Sequence, residues 1–406
     1  MQPQLVSALE STPSVQADSL LSALAAGSPG GLAPIPGFRL TAPADAVSAE
    51  LGKLWAWLAR APGPVPSPAR RALESRRTRT PLDVARVLAS VYGRKLSPVI
   101  YTQGVSISGR LRLARLDPEG PDPVLDITQL VGSLVSEAGE VFERDAGGAN
   151  LAGLLWAEEM AEATGDRRYA DLIVSIADRY RFLGEGEAPP PSDPDFRTED
   201  MFFSAAILGR AFKITGDGGY LRILTGFLLD AVARRVQRED GLFWHCRSAP
   251  FYWGRGNGFA ALGFAETLTY LPDDHPDRET LVTIHVKHLD ALRRIQHPSG
   301  MWLQVLDFPG SYQEMSATCM IGYAVARGLR LGWLDASYRA SLESAWAGVS
   351  ERIDDDGGLV DVCTGTGVQQ SLRDYLDREA IFGLDDRGGA MALWFATAME
   401  QLFRQR

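Results

Sequence analysis

The chain has 406 residues, of which 45% are hydrophobic, so it can bury a large core in one domain or in several. Its 41 basic and 51 acidic side chains leave a formal charge of −10, which argues against nonspecific binding to nucleic acid or to an anionic membrane. The three cysteines, Cys246, Cys319 and Cys363, are far apart and form no CxxC pair, so we expect reduced thiols in a cytoplasmic protein. Because we find neither a basic, apolar leader nor an apolar window of about 18 residues, we expect no secretory signal and no transmembrane helix.

Residues 1–75 differ in composition from the rest of the chain. They are rich in Ser, Ala, Pro and Gly, and residues 27–31 and 62–68 are runs of turn-forming residues. We expect a partly ordered extension with one short helix at 45–61. A second, larger domain is expected over residues 76–406.

Helix-length apolar patterns follow one another from about residue 80 onward, separated by Gly, Asp and Pro turns. Strand-like alternation of apolar and polar residues is scarce. The sequence therefore predicts an all-α domain. The predicted helices are 151–164, 169–182, 201–214, 220–237, 259–270, 278–296, 316–330, 337–352 and 390–404.

A weak repeat indicates how these helices are arranged. Tyr169, Tyr220 and Tyr338 each open a helix just after Thr-Gly-Asp or Gly-Trp-Leu-Asp, and the period of roughly 50 to 70 residues fits one helical hairpin with its loop. Such hairpins can stack as an open solenoid or close into a barrel. Closure around a central pocket is favoured, because the loops between hairpins carry aromatic residues and glycines at the same point of each repeat. These loops are 184–200, 240–258, 298–315 and 354–388.

The segment 251–259, Phe-Tyr-Trp-Gly-Arg-Gly-Asn-Gly-Phe, is the most informative part of the chain. Its alternate glycines let the main chain approach a ligand closely or turn sharply, so a loop with positive φ is the alternative interpretation. Trp244 and His245 lie just upstream of Trp253 and Arg255. Aromatic rings stack on sugar faces and a guanidinium binds a carboxylate, so this cluster suits an acidic sugar.

Asp200 is the first candidate for acid–base chemistry. It stands at the head of a predicted helix, where it can act as an N-cap, or as a general acid whose apolar surroundings raise its pKa from about 4 toward neutrality. Glu199 is the second candidate, with a solvated first-turn residue as its alternative. Asp145 and Asn150 precede another predicted helix and can be further polar groups of the pocket or loop-to-helix caps.

The remaining histidines and motifs give little support to other chemistries. His285 and His288 are spaced as metal ligands on a helix can be, but no third ligand lies nearby in sequence, so a solvated helical face is favoured. The chain contains no GxSxG, P-loop or HExxH motif, and the glycines of 254–258 do not follow a strand in a βαβ unit. We expect no metal and no cofactor.

Several segments, taken in order, resemble the unsaturated glycuronyl hydrolases, namely the glycoside hydrolase family 105 unsaturated rhamnogalacturonyl hydrolases and their family 88 relatives. The resemblance covers about residues 80–406 and implies an (α/α)6 barrel of helical hairpins with its pocket at one end. It rests on 199–217, 241–245, 251–259, 300–307, 311–316, 327–335 and 375–400.

The resemblance also implies an unusual hydrolysis. The substrate is a small acidic oligosaccharide with a 4,5-unsaturated uronyl residue at its non-reducing end, as a polysaccharide lyase leaves it. A carboxylic acid protonates C4, positive charge develops at C5, water adds there, and the resulting hemiketal opens to release the aglycone. One carboxyl group can act as acid and then as base, so the two-carboxylate spacing rule of ordinary glycosidases does not apply.

By position in the resembling segments, Asp200 is the acid, and Asp145 or Asn150 fills a second pocket position. Phe259 stands where the family pattern has Trp. No nucleic acid or membrane partner is predicted, and the oligomeric state is left open. The resemblance assigns substrate binding to His245, Trp253, Arg255, Asn257, Phe259, Asn150, Trp244 and Tyr312.

Two other functions remain open for such a barrel. A conventional inverting glycosidase would need a second well-placed carboxylate, for which Asp307, Glu314 and Asp145 are candidates. A sugar-binding barrel without turnover would keep the aromatic pocket alone; the intact Asp200 argues against it, and Asn150 argues weakly for it.

Overall fold

The computed structural model describes residues 67–136, 146–181 and 188–405. The chain divides into two compact units, Met1–Arg71 and Ala72–Arg406. The helix predicted at 45–61 and nearly all of the predicted N-terminal extension lie outside the described residues.

Helices dominate the described residues, and each helix predicted from residue 151 onward is present with shifted ends or as two shorter helices. The structure adds four helices before residue 140 that the sequence analysis did not predict. In chain order the helices are α1 (Pro68–Thr78), α2 (Pro81–Val91), α3 (Tyr101–Leu116), α4 (Val124–Ser136), α5 (Gly148–Leu151, continued by a 3-10 turn at Ala152–Leu154), α6 (Ala157–Thr164), α7 (Arg167–Ala177), α8 (Thr198–Thr215), α9 (Gly218–Ala233), α10 (Gly254–Tyr270), α11 (Arg278–Arg294), α12 (Met315–Leu331), α13 (Arg339–Glu351), α14 (Leu372–Leu376) and α15 (Asp386–Phe403).

The inner layer of the fold is a closed ring of helices. Helix α8 packs on α10, α10 on α12, α12 on α15 and α15 on α3, while the α5–α6 segment lies between α3 and α8. Because the ring closes, the open solenoid is the wrong alternative and the predicted barrel is confirmed.

The outer layer consists of the helices that alternate with the inner ones along the chain. Helix α2 packs on α15 and α3, α7 on α6 and α8, α9 on α8, α11 on α10, and α13 on α12, while α4 contacts α6 and α7. This alternation makes the described part of the chain an (α/α)6 barrel. Two small antiparallel pairs, β1 (Trp302–Leu303) with β2 (Gln313–Glu314) and β3 (Leu359–Cys363) with β4 (Ala380–Gly383), lie in its loops.

Close packing explains the glycines of the inner helices. A Cβ atom on Gly263 of α10 would lie 2.6 Å from the carbonyl carbon of Met201 in α8, and one on Gly209 would lie 2.5 Å from the Tyr270 ring. The segment 254–258 is likewise the first turn and a half of α10, and none of its glycines has a positive φ. The interpretation of this segment as a loop is therefore wrong.

Local rules also explain the repeat. Gly165 and Gly216 end α6 and α8 in the left-handed conformation, with φ of 70° and 72°. The next residues, Asp166 and Asp217, cap the following outer helix by accepting a hydrogen bond from the main-chain N–H two residues on. The tyrosine that follows is buried at the start of each outer helix. This holds for Tyr169, Tyr220 and Tyr338.

All inner helices begin at the same end of the barrel. Arg255, in the first turn of α10, contacts Ser316 in the first turn of α12, whereas Arg210 and Glu266 meet near the other ends of α8 and α10. Helix N-termini carry partial positive charge, so the end of the barrel where they converge suits an anionic ligand.

Two further sequence-based expectations concern the helices and the thiols. No helix of the described residues is long and apolar enough to span a bilayer. The three cysteines are free and buried.

Candidate active site

Asp200 is buried beside the start of α8 and is 1% exposed. Its Oδ2 accepts a hydrogen bond of 2.9 Å from the main-chain N–H of Asp193 and lies 3.4 Å from Arg197 Nη2, while Oδ1 has no partner among the described residues. Burial raises the pKa of Asp200 to about 7, and the nearby Arg197 guanidinium only partly opposes this shift. The N-cap of α8 is Arg197, without a side-chain cap, so the interpretation of Asp200 as an N-cap is wrong.

Glu199 points to a different neighbour, the fully buried His245. The Nε2 atom of His245 lies 3.0 and 3.1 Å from the two carboxylate oxygens. Burial alone would raise the pKa of Glu199, but attraction to His245 and the hydrogen bond from it outweigh burial and lower that pKa. Glu199 is only 8% exposed, so the interpretation as a solvated first-turn residue is wrong.

Tyr375, from α14, completes a hydrogen-bonded chain with these two residues. Its hydroxyl lies 2.5 Å from His245 Nδ1 and also accepts a hydrogen bond of 3.2 Å from the main-chain N–H of Gln369. Because the Glu199 carboxylate can only accept, His245 Nε2 carries a hydrogen and donates it to Glu199. When His245 is neutral, Nδ1 is therefore the acceptor of the Tyr375 hydroxyl hydrogen.

Trp253 and Trp244 have different neighbours. The Trp253 ring packs on His245 at 4.6 Å between centroids, so the structure brings these two predicted residues together. Trp244 instead lies under Arg238, 3.9 Å from the guanidinium carbon. Trp244 is half-buried, and its place in the site stays a prediction.

Arg255 is committed to main-chain carbonyl groups. Its Nη1 donates to the carbonyl oxygen of Cys363, and its Nη2 donates to that of Thr364 at 2.6 Å. These bonds anchor the loop after β3 and leave the guanidinium no free pair of terminal nitrogens for a carboxylate clamp. The half-buried Arg387, at the start of α15, is a second cation at this end, and its Nη1 lies near Gly365.

Tyr101 is the half-buried aromatic ring of the site, whereas Phe259 lies beneath it. The Tyr101 ring is 5.1 Å from Phe203 and 5.5 Å from Phe259 between centroids, and Phe259 is 2% exposed. Burial raises the pKa of Tyr101 to about 12, although the nearby Arg255 and Arg387 pull it down. Phe259 therefore supports Tyr101, and its predicted direct stacking on a sugar is not what this geometry provides.

Asn257 is fully buried and has a structural role. Its side-chain nitrogen donates to the carbonyl oxygens of Phe243 and Trp253, and its oxygen accepts the Phe243 N–H and lies 3.1 Å from His288 Nε2. No polar atom of Asn257 is left for a substrate, so its predicted role in substrate binding is wrong.

The segment 146–150 lies against Asp200, as the prediction of a second polar group nearby requires. A Cβ atom on Gly148 would be 3.1 Å from Asp200 Oδ1. Asn150 is half-buried and donates to the carbonyl oxygen of Val99 at 3.0 Å. Asp145 lies outside the described residues.

The remaining carboxylates do not supply the second acid of an inverting glycosidase. Glu314 caps α12 through the N–H groups of Ser316 and Ala317 and also accepts the Cys363 N–H at 2.9 Å. Asp307 is exposed, and partial burial together with repulsion from Asp240 raises its pKa. Neither Glu314 nor Asp307 therefore supplies the second carboxylate of the inverting alternative, and the third candidate, Asp145, lies outside the described residues.

Tyr312 and the helical histidines complete the set of predicted residues. Tyr312 is half-buried near Cys363, and its hydroxyl lies 3.5 Å from the carbonyl oxygen of Glu379. His285 and His288 are fully buried, so the expectation of a solvated face is wrong. Burial lowers the pKa of His285 to about 3 and that of His288 well below its usual value.

Sequence reasoning missed Tyr101, Arg387 and Tyr375. Tyr101 comes from α3 and lies in none of the segments used above. Arg387 and Tyr375 both belong to the segment 375–400, which was used for the family resemblance only. Because α3 was not predicted as a helix, no local signal pointed to Tyr101 at its start.

Residues 246–403 match the sequence pattern of Glycosyl Hydrolase Family 88. Over 124 residues the chain is 33% identical to the unsaturated rhamnogalacturonyl hydrolase YesR of Bacillus subtilis, which covers 30% of this chain and 34% of that protein. Over 169 residues it is 26% identical to an unsaturated 3S-rhamnoglycuronyl hydrolase of an Alteromonas species, with 39% and 41% covered. The chain thus spans well under half the length of these curated relatives.

Solved structures share the fold. A glycoside hydrolase from family 105 of C. acetobutylicum superposes with a TM-score of 0.68 at 20% identity, over 78% of this chain and 99% of that one. The unsaturated glucuronyl hydrolase of Bacillus sp. GL1 gives a TM-score of 0.58 at 17% identity, over 83% and 96%. The resemblance that the sequence motifs indicated is confirmed.

Proposed function

We propose that this chain, whose residues 246–403 match Glycosyl Hydrolase Family 88, is a hydrolase of unsaturated uronides. It hydrates the 4,5 double bond of the uronyl residue at the non-reducing end of a small acidic oligosaccharide and so releases that residue. The observation that carries the proposal is the pair of adjacent carboxyl groups, Glu199 and Asp200, with oppositely shifted pKa values.

Asp200 is the proposed proton donor. A carboxyl group with a pKa of about 7 keeps a large protonated fraction at neutral pH and is matched to general acid catalysis. Protonation of C4 leaves positive charge at C5 and on the ring oxygen. The Asp200 carboxylate that remains can then take a proton from the water that adds to C5.

Glu199 is the proposed negative charge next to the reacting ring. Its lowered pKa keeps it ionised through the reaction, and His245 holds both of its oxygens. A fixed carboxylate stabilises positive charge developing close to it more strongly than mobile water does. Hydration of the double bond needs a proton donor, a stabiliser of positive charge and water, and no group has to leave from C5. Asp200 and Glu199 supply the first two.

The substrate carboxylate is proposed to bind between Tyr101 and Arg387. Both Arg387 and Arg255 act on the Tyr101 hydroxyl electrostatically, and the N-termini of the inner helices add partial positive charge. Arg387 binds Asp385 through Nε and Nη2, so its Nη1 is the nitrogen left for the substrate carboxylate. Tyr101 supplies a half-buried aromatic ring on which a sugar can stack.

The test is incubation with disaccharides that a polysaccharide lyase has made, which contain the conjugated double bond. Hydration destroys the ultraviolet absorbance of that bond, so absorbance should fall as the uronic acid is released. Release of reducing sugar from saturated oligosaccharides instead would favour an inverting glycosidase. Binding without either change would identify a sugar-binding barrel and overturn the proposal.

A cytoplasmic location is also proposed. The three buried free thiols agree with a reducing compartment, where disulfides are rare. A short, lyase-generated oligosaccharide is a substrate small enough to be imported before it is cleaved.

A further inference from the structure

A polar cavity lies at the end of the barrel opposite the candidate active site, where the inner helices end. Its volume is about 420 Å³. Nothing in the proposed hydrolysis uses this cavity. It is lined by Arg112, Arg115, Glu158, Glu159, Phe212, Lys213, Thr269, Tyr270, Arg327, Arg330 and Gln401.

Positive charge exceeds negative charge around this cavity. Its lining holds five cationic and two anionic side chains. Three further charged side chains adjoin the cavity. Arg210 and Glu266 form a buried ion pair that is neutral as a whole, and Glu162 binds Arg115 and Lys213. Six cations against four anions leave an excess of two positive charges, in a chain whose formal charge is −10.

The pairing pattern locates this excess on one wall. Arg112 binds Glu159 at 2.8 Å, and Lys213 binds Glu158. Arg327 is 3.8 Å from Glu266, which Arg210 already binds at 2.9 Å. The excess positive charge therefore lies on the α12 wall, where Arg327 and Arg330 stand.

Arg330 has no hydrogen bond or ion pair with any residue in the described ranges, although it is half-buried. Burial lowers its pKa, and the positive charges of Arg327 and Arg112 lower it further. Arg210, which lies against the lining residue Tyr270, is fully buried, and its Nε and Nη2 atoms have no hydrogen-bond partner among the described residues.

The neutralisation of partial negative charge at the ends of the helices does not account for this arrangement of cations. Cations in the last turn of a helix stabilise its partial negative charge, and Arg330 and Lys213 stand in such positions. That effect needs a few cations that face the last carbonyl groups. It does not require a cavity in which guanidinium groups repel one another.

We propose that this cavity binds a small dianionic oxyanion, a phosphate or sulfate group, between Arg330 and Arg327. A dianion matches the excess of two positive charges, and guanidinium groups bind phosphate and sulfate oxygens in pairs. The bound group is either a free inorganic anion or the ester group of a small molecule.

The experiment is thermal unfolding of the full chain at constant ionic strength, with inorganic phosphate replacing chloride. The expected result is a saturable rise in Tm, because a ligand that binds only the folded state stabilises it. Arg330→Gln should weaken binding by about tenfold or more, whereas Arg167→Gln should not, since Arg167 is 88% exposed on an outer helix. Arg330→Lys keeps the charge and should retain part of the affinity.

Titrations with sulfate and with a hexose phosphate identify the source of the group. Tighter binding of the hexose phosphate supports an ester, and equal binding of all three supports a free anion. A Tm that rises linearly without saturation, or rises equally in wild type and Arg330→Gln, overturns the proposal. Circular dichroism of each variant establishes that it is folded.

Discussion

Glu199 and Asp200 are consecutive residues in the first turn of α8, yet their surroundings move their pKa values in opposite directions. Successive residues of an α-helix are rotated by about 100°, so one carboxyl group reaches His245 while the other faces Gly148. The first has a hydrogen-bonding partner that holds it ionised. The second is buried with one oxygen unpaired, so its neutral form is favoured.

The first prediction concerns the rate. Replacing Asp200 by Asn removes the proposed proton donor, so turnover of an unsaturated disaccharide should fall by on the order of 10² or more. In the wild type the rate should decline as pH rises through about 7, because Asp200 then loses its proton. Initial rates across this pH range measure both effects. Asp273→Asn, at a side chain that is 96% exposed, is the control and should keep the wild-type rate. A near-normal rate in Asp200→Asn would remove Asp200 from the mechanism.

The second prediction concerns stability, for which the raised pKa of Asp200 sets the sign. Its folded pKa of about 7 lies above the ordinary value of 3.8, so the folded state binds this proton more tightly than the unfolded state. Between these two values the contribution of Asp200 to stability falls with rising pH, by about 1.4 kcal/mol per pH unit. Asp200→Asn should therefore be stabilised relative to wild type at about pH 8 and not at about pH 4. Urea unfolding at the two pH values tests this, and a difference that does not depend on pH contradicts it.

The third prediction is that Glu199→Gln destabilises the fold and slows turnover. The change removes a charged acceptor from the buried His245, which should cost about 1.5–3 kcal/mol. Because the pKa of Glu199 is lowered, its contribution is present above about pH 4.5 and is lost as pH falls through the folded pKa. Unfolding at neutral and at acidic pH measures this loss. Glu239→Gln, at a side chain that is 90% exposed, should change stability by less than about 0.5 kcal/mol.

The fourth prediction is that Tyr375→Phe removes the hydrogen bond to His245 Nδ1 and leaves the hydrogen on Nε2, where the Glu199 carboxylate accepts it. The ring packing on Phe251 is kept. Nitrogen NMR of the imidazole should therefore show a shift of the Nδ1 resonance, while the Nε2 resonance keeps its attached hydrogen. Tyr338→Phe removes a comparable hydroxyl contact, to Asp290 on an outer helix, and should leave the His245 signals unchanged. Identical spectra for Tyr375→Phe and wild type would contradict the role assigned to this hydroxyl.

The fifth prediction compares two glycine-to-alanine changes in helices. Gly263→Ala places a Cβ atom against the main chain of Met201, which cannot move without separating α8 from α10, so it should cost about 1–3 kcal/mol. Gly226→Ala lies on the exposed face of α9 with nothing within 4 Å, so it should stabilise the protein by about 0.5–1 kcal/mol. Urea unfolding of both variants decides, and equal effects would mean that the inner helices are less closely packed than described.

The periodic part of the fold could be predicted from the sequence because each hairpin repeats the same local rules. Glycine ends a helix, aspartate caps the next, and a tyrosine is buried after it, as at Gly216, Asp217 and Tyr220. The start of α10 was misjudged because glycine disfavours helices intrinsically. Tertiary packing overrides this preference where Gly254 meets the carbonyl oxygen of Leu303.

The candidate site was predictable only where its residues lie close together in sequence. Asp200, His245 and Trp253 were found from such segments, and their burial follows from the barrel. A polar residue such as Asn257 can face a ligand or bind main-chain groups. The outcome depends on elements that are distant in sequence, here Phe243 and α11. Tyr101 and Arg387 meet only when the ring closes, so local patterns could not reveal them.

Glu314 holds two parts of the protein at once, since its carboxylate caps α12 and also accepts the N–H of Cys363. Arg255 holds the carbonyl oxygen of the same residue. The N–H and the carbonyl oxygen of Cys363 are thus both fixed to the barrel. Any opening of the loop that carries Tyr375 must therefore hinge after Thr364. Mobility on substrate entry should therefore begin abruptly at that point and leave β3 still.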